Sequence, residues 1–221
     1  ADGTTTADAQ AVLERYSIEV PDGVTAWLSR ADAETPKPGD GFFDAAETRM
    51  IARPQGSLEA AAEKAKELGL APLILGDAIE GEARDVALEH AHLALSVAAG
   101  DGPVKAPAVL LSGGEVTVTI KGKGRGGPNT EYLLAMAQAL EGADAIHALA
   151  CDTDGIDGSE DNAGAVIGPE TLARARDAGL DVGEYLGAND AYSFFEALDD
   201  LVVTGPTLTN VNDFRAILVL H

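Results

Sequence analysis

Apolar and polar positions follow two periods along this chain and divide it into helix-like and strand-like stretches. Val12, Leu13 and Tyr16 share one face of a helix over residues 7–17, with Thr6 as its cap and Asp8 in the first turn. A second short helix fits 24–30, and Pro36-Lys37-Pro38-Gly39-Asp40-Gly41 breaks the pattern. Beyond the break come a short strand at 50–52, a helix from a Ser57 cap to Leu68, and an apolar strand run over 71–75. A long helix over 81–99 is stopped by Gly100. Strands at 109–111 and 116–120 flank the cluster Ser112-Gly113-Gly114-Glu115. A helix over 129–140 aligns Leu133, Ala137 and Leu140, and a strand follows at 145–150. Pro169 opens a helix that ends at Gly179, a further helix fits 190–198, and strands fit 201–203 and 216–220. This alternation predicts an α/β fold, with a mostly parallel or mixed sheet covered by helices on both faces.

Composition narrows the picture. Apolar residues make up 46% of the 221, enough for a full core, and only 5% are aromatic. Fifteen basic against 37 acidic residues give a net charge of −22. That field repels nucleic acid and anionic membranes, so neither is expected as a partner. It also points to a high-salt, halophilic setting. The single cysteine, Cys151, rules out an intrachain disulfide. No apolar run reaches the roughly 18 residues of a membrane span, and no signal-peptide pattern opens the chain. The expected location is cytoplasmic. Ala1 stands where an initiator Met would, which points to a processed product or a piece of a longer polypeptide.

Four polar, glycine-rich clusters in the second half carry the candidate chemistry: 112–115, 122–131, 152–158 and 204–213. Gly122, Gly124 and Gly127 fit the G-x-G-x-x-G spacing, and Asp152 and Asp154 follow the next strand, as in a nicotinamide-cofactor fold. More generally, glycines such as Gly124, Gly126 and Gly127 ahead of a helix N-terminus suit an anion, and Arg125 adds a bidentate fork. Asp154 and Asp157 at a strand end suit Mg²⁺ or the acceptance of a hydroxyl proton. Thr207 and Asn210, close behind Gly205-Pro206, could reach such a ligand, although on sequence alone turns and caps account for them better. His90 and His92 face apart on a helix and form no metal pair. Neither a G-x-S-x-G elbow nor a GxxxxGK[ST] loop occurs.

In their order, LSGGEVTVTIKGKGRGGPNTE, TDGIDG, GAVIG, NDAYSFFEAL and VTGPTLTNVND resemble the MOFRL family, the C-terminal domain of class II glycerate 2-kinases, which are often named hydroxypyruvate reductases. The resemblance covers nearly all of residues 108–221. Residues 48–221 then form the α/β domain that contains the MOFRL region, and residues 1–47 resemble a segment of the family's N-terminal domain and its linker. The resemblance implies an ATP- and Mg²⁺-dependent phosphorylation of D-glycerate at its 2-hydroxyl. It also implies that the N-terminal half of the enzyme is a missing partner of this chain. Glu115, Arg125, Asn129, Glu131, Asp154, Asp157, Asn210 and Asp213 match the family's motif positions. One departure is clear: the family usually has Arg-Asn-Gln-Glu after the double glycine, and this chain has Pro128-Asn129-Thr130-Glu131. Two rival readings stay open: an NAD(P)H-dependent hydroxypyruvate reductase, and a fragment that binds anions without catalysis. Homo-oligomerisation stays open as well.

Overall fold

The strand β2 (Ala108–Thr117) runs unbroken through the first glycine cluster and organises the sheet around it. The computed structural model describes residues 2–221 and divides into two units, one ending at Met50 and one spanning Ile51–His221. The first unit holds α1 (Thr6–Arg15), α2 (Asp22–Leu28) and two 3₁₀ turns. Thr5, not Thr6, caps α1, in a reciprocal capping box with Asp8.

The second unit contains a six-stranded sheet in the order β1-β2-β6-β3-β4-β5. Its strands are β1 (Ala71–Glu82), β2, β3 (Ile146–Asp152), β4 (Gly164–Ile167), β5 (Leu201–Val202) and β6 (Asp213–Val219). Its helices are α3 (Pro54–Glu67), α4 (Ala83–Ala98), α5 (Pro128–Leu140), α6 (Thr171–Asp177), α7 (Val182–Ala188) and α8 (Ala191–Leu198). Alternation along β2 sorts the core into two layers. Leu110 joins the large cluster under α4 and α5, while Val109 and Leu111 meet Leu58, Ala62 and Ala65 of α3 on the other face. Beside α3 on that face, His147, Leu149, Val166, Ala216 and Leu218 line a groove of about 600 Å³.

The sheet is mixed, and β1–β2 is its parallel pair. The last strand, β6, enters between β2 and β3 antiparallel to both. β3 and β4 also pair antiparallel, because the eleven residues between them form no crossover helix. The strand expected at 50–52 does not form, and Ser57 lies inside α3, which begins at Pro54. The two strands expected around residues 112–115 are one. Gly114 permits this: its φ is +110°, and a side chain there would run into the backbone of Ile79 on β1.

Candidate active site at the strand ends

The buried start of α5 is occupied by a carboxylate of the chain itself. Asp157 accepts hydrogen bonds from the backbone N–H of Asn129 (2.9 Å) and of Thr130 (2.8 Å), and from the Thr130 hydroxyl (2.8 Å). The Asn129 amide adds a longer one at 3.3 Å. Burial pushes the Asp157 carboxyl up, and these donors pull it back. Asp157 therefore caps α5 and fills the place where an external anion was expected.

The glycine loop is equally engaged. Asn189, in the left-handed region at the end of α7, accepts from Lys121 N–H (2.7 Å) and Gly122 N–H (2.9 Å). Gly124 N–H donates to the Ala188 carbonyl, Arg125 N–H to Asp190 (2.8 Å), and Gly127 N–H to the Thr130 hydroxyl. Side chains at Gly122, Gly124 and Gly127 would collide with Ala188, Asp190 and Asp157. The G-x-G-x-x-G spacing thus records close packing of this loop on two neighbouring segments. The expectation that its N–H groups face a phosphate is corrected, because protein acceptors hold five of them.

Glu131 also has internal partners: the partly exposed Arg84, which forms an ion pair with it, and the Asn189 amide (3.1 Å). These contacts tie α4, α5 and the α7 end together, and they hold the Glu131 carboxylate inside the fold.

The acidic residues gather at the ends of β2, β6 and β3. Asp213 lies opposite Gly114 on one side and Asp152 on the other. It accepts from the Asn129 amide (2.7 Å) and pairs with the fully buried Arg215. Arg215 also donates to the Gly113 carbonyl (3.3 Å) and lies over the Tyr132 ring. The Tyr132 hydroxyl meets His90 Nδ1 at 2.8 Å. Burial, and then the Arg215 charge, lower His90 to about 4. Burial raises Asp213, while Arg215 opposes the shift and the nearby Glu115 adds to it. Asp152 is raised to about 6, by burial first and then by the charges of Asp154 and Asp213. Two buried atoms of this network have no protein partner: Asn129 Oδ1 and Arg215 Nε.

The loop that carries Thr207 and Asn210 is stitched onto the loop after β3. Thr207 N–H donates to the Asp154 carbonyl (2.9 Å), its hydroxyl to the Thr153 carbonyl (2.5 Å), and the Asn210 amide approaches Asp154 Oδ2 at 3.4 Å. Asp154 is half-buried, and its Oδ1 accepts from Ile156 N–H. Asp154 thus has one oxygen in a turn and the other only loosely held by Asn210.

Arg125 stands apart, half exposed on the outer side of the glycine loop. It donates to Glu196 (2.9 Å) and Ser193 (3.0 Å), lies 3.8 Å from Glu160, and stacks over Tyr192 at 4.5 Å. The structure brings Asn129, Asp157, Asp213, Glu115, Asp154, Thr207 and Asn210 into one region through Asp152, and turns Glu131 and Arg125 to partners of their own. Arg84, Arg215 and Glu196 were not anticipated. Arg215 had a readable signal: in Asp213-Phe214-Arg215-Ala216-Ile217 the period of two puts it on the buried face.

Comparison with known proteins agrees with this architecture. A match to the MOFRL family spans residues 108–213. Over these residues the chain is similar to the MOFRL family. The chain is 55% identical, over 99% of its own length and 50% of the other's, to a protein of Agrobacterium vitis named "Putative hydroxypyruvate reductase". It is 37% identical, over 96% of its length and 49% of the other's, to a D-glycerate 2-kinase of Thermotoga maritima. The crystal structure of glycerate kinase from Thermotoga maritima superposes with a TM-score of 0.85 at 36% identity, over 99% of this chain and 51% of that one. The chain spans about half the length of the curated relatives it matches. The relatives that share this region are named for glycerate phosphorylation or for hydroxypyruvate reduction. Among the described residues, no helix is long and apolar enough to cross a membrane.

Proposed function

We propose that this chain contributes the MOFRL half of a glycerate 2-kinase, which phosphorylates D-glycerate at its 2-hydroxyl with ATP and Mg²⁺ to give 2-phosphoglycerate. The observation that carries this reading is the superposition of almost the whole chain on a glycerate kinase. The open acids after β3 support it. Phosphoryl transfer depends on positioning and charge, and a strand-end carboxylate supplies both.

Mg²⁺ keeps several waters and needs one or two carboxylates, with substrate phosphates completing its shell. Asp154 meets that demand, with Asp152 one hydrogen bond away. Asp157 does not, since both its oxygens hold α5. Among the described residues, no cluster of three or more His, Cys, Asp and Glu could cage a metal. Mg²⁺ bound here would neutralise the charge of the transferring phosphoryl group. Asp154 would hold it, while Asn210 and Thr207 tie their loop to the segment that carries Asp154, and Arg215 pairs with Asp213. Of the exposed cations of the glycine loop, Arg125 has the fork for the glycerate carboxylate or a phosphate, once released from Glu196. The glycine loop does not fit an ATP phosphate cradle, so nucleotide binding falls to residues outside it.

The reductase reading keeps the support of the Agrobacterium vitis relative's name. The geometry disfavours it, because a dinucleotide fold needs free N–H groups where Asp157 and Asn189 already accept. A side-by-side assay separates the readings, run on the chain alone and on a polypeptide of the relatives' full length that contains it. One arm follows ADP with ATP, Mg²⁺ and D-glycerate, and the other follows NADH with hydroxypyruvate. ADP formation without NADH oxidation upholds the kinase, and the reverse overturns it. Activity in the longer polypeptide alone makes this chain a binding half.

A further inference from the structure

We propose that Glu196 competes with the substrate's oxyanion for Arg125 and so sets the affinity of the site for its anionic group. The inference rests on the reading of Arg125 as the anion-binding cation.

The Arg125 main chain is fixed at both ends. Its N–H donates to Asp190 (2.8 Å), and its carbonyl accepts from Tyr192 N–H (3.0 Å). Its side chain is held differently. The guanidinium lies over the Tyr192 ring, and Nη2 reaches Glu196 and Ser193, while Nη1 stays 3.8 Å from Glu160, beyond hydrogen-bond length. Ser193 is itself held by Asp190 at 2.7 Å. The ring and the Ser193 hydroxyl therefore fix the plane of the fork, while Glu196 occupies part of its donor edge.

Glu196 is a carboxylate, chemically the same group as the acid end of a hydroxy acid and close to a phosphoryl oxygen pair. A bidentate oxyanion on Arg125 needs two adjacent N–H groups. Taking the edge that includes Nη2 displaces Glu196. The pair is about half exposed on both sides, so the displacement is easy. Exposed pairs of this kind are worth about two- to fivefold in an equilibrium, which is the affinity Glu196 withholds. Buried Phe194, Phe195 and Leu198 fix α8 independently of Glu196, so Glu196 can be changed without unfolding the helix.

The test titrates the chain at low ionic strength with inorganic phosphate in one arm and D-glycerate in the other, following the Arg125 Nε–Hε resonance. Parent, Glu196→Gln, Arg125→Gln and the double variant are compared, with the overall amide binding isotherm for the variants that lack Arg125. Glu196→Gln should tighten binding about threefold, and the gain should vanish in the double variant. The ligand that moves the resonance at lower concentration identifies the anionic group. Equal midpoints for parent and Glu196→Gln overturn the competition and leave the role of Arg125 intact. A gain that persists without Arg125 overturns it too, and assigns the effect to the general field. An unmoved Arg125 resonance with both ligands removes the reading of Arg125 itself.

Discussion

Replacing Arg215 by Met should cost about 3 kcal/mol of folding stability at neutral pH, the low end of what removing one partner of a buried ion pair costs. Arg215 is fully buried, and its pair Asp213 is nearly so. Met fills much of the guanidinium stem's volume over Tyr132 but supplies no charge. Asp213 keeps the Asn129 amide and the longer Val116 N–H contact, which holds the cost at that end of the range. With a urea m-value of about 1–3 kcal/mol/M, the unfolding midpoint should fall by roughly 1–3 M. Burial already raises the Asp213 carboxyl, and Arg215 is what opposes that shift. Without Arg215 the folded state binds a proton at Asp213 more readily than the unfolded state does. The deficit of the variant should therefore shrink as pH falls from 7 to 5. Arg215→Met/Asp213→Leu should recover most of the loss, because no charge is left buried alone. A single variant within about 1 kcal/mol of the parent, or a double variant no better than the single, would refute the assignment of this pair as the anchor of the strand-end acids.

Three further outcomes follow from the same geometry. Asp157→Ala leaves two buried N–H groups without their acceptor and should lower stability by about 2–4 kcal/mol in thermal unfolding; an unchanged melting temperature removes its role as a cap. His90→Gln should gain on the parent in acid. With the folded His90 at about 4, the unfolded chain takes up a proton below about pH 6.5 that the folded chain does not, so the parent loses on the order of 3 kcal/mol by pH 4. Asp152, raised to about 6, pushes the parent the other way over pH 6 to 4, so the difference between variant and parent is the quantity to measure by urea titration. Gly124→Ala should displace the loop that carries Arg125, since its new methyl meets Asp190, whereas Gly187→Ala on α7 meets nothing within 4 Å and should stabilise by about 0.5–1 kcal/mol; equal effects at the two glycines would contradict the packing.

Local chemistry made α5 legible, with Pro128 in its first turn and Leu133, Ala137 and Leu140 on its buried side. The same holds for α4, α8 and the apolar half of β1. The order of strands was not legible. That β6 returns between β2 and β3 depends on pairings between segments far apart in the chain, from Asp152 with Asp213 to Ala108 with Val219, which no local period encodes. β2 was read as two strands because Gly113-Gly114 has the composition of a turn, while the neighbouring Ile79 backbone demands glycine inside a strand. At the site, the residue types were found and their partners were not. Asp157 carries the composition of a metal ligand and the geometry of a helix cap, and only the position of Asn129 and Thr130 distinguishes the two. Arg215 alternates with apolar neighbours on β6, and its burial follows from the face that strand presents to the core.

The glycines of the loop over 121–127 bear on how likeness is weighed across these proteins. Gly122, Gly124 and Gly127 are required by what the backbone touches, so their pattern reports the docking of three chain segments. On the proposed reading, the chemistry falls to side chains between and beyond them, Arg125 and Asp154 among them. A descendant could keep every glycine, fold identically and lose the reaction by exchanging two charged residues. Another could change its substrate with the pattern untouched. Names passed between relatives on the strength of this motif therefore travel farther than the activity does, and two names for one architecture are what such drift would leave behind.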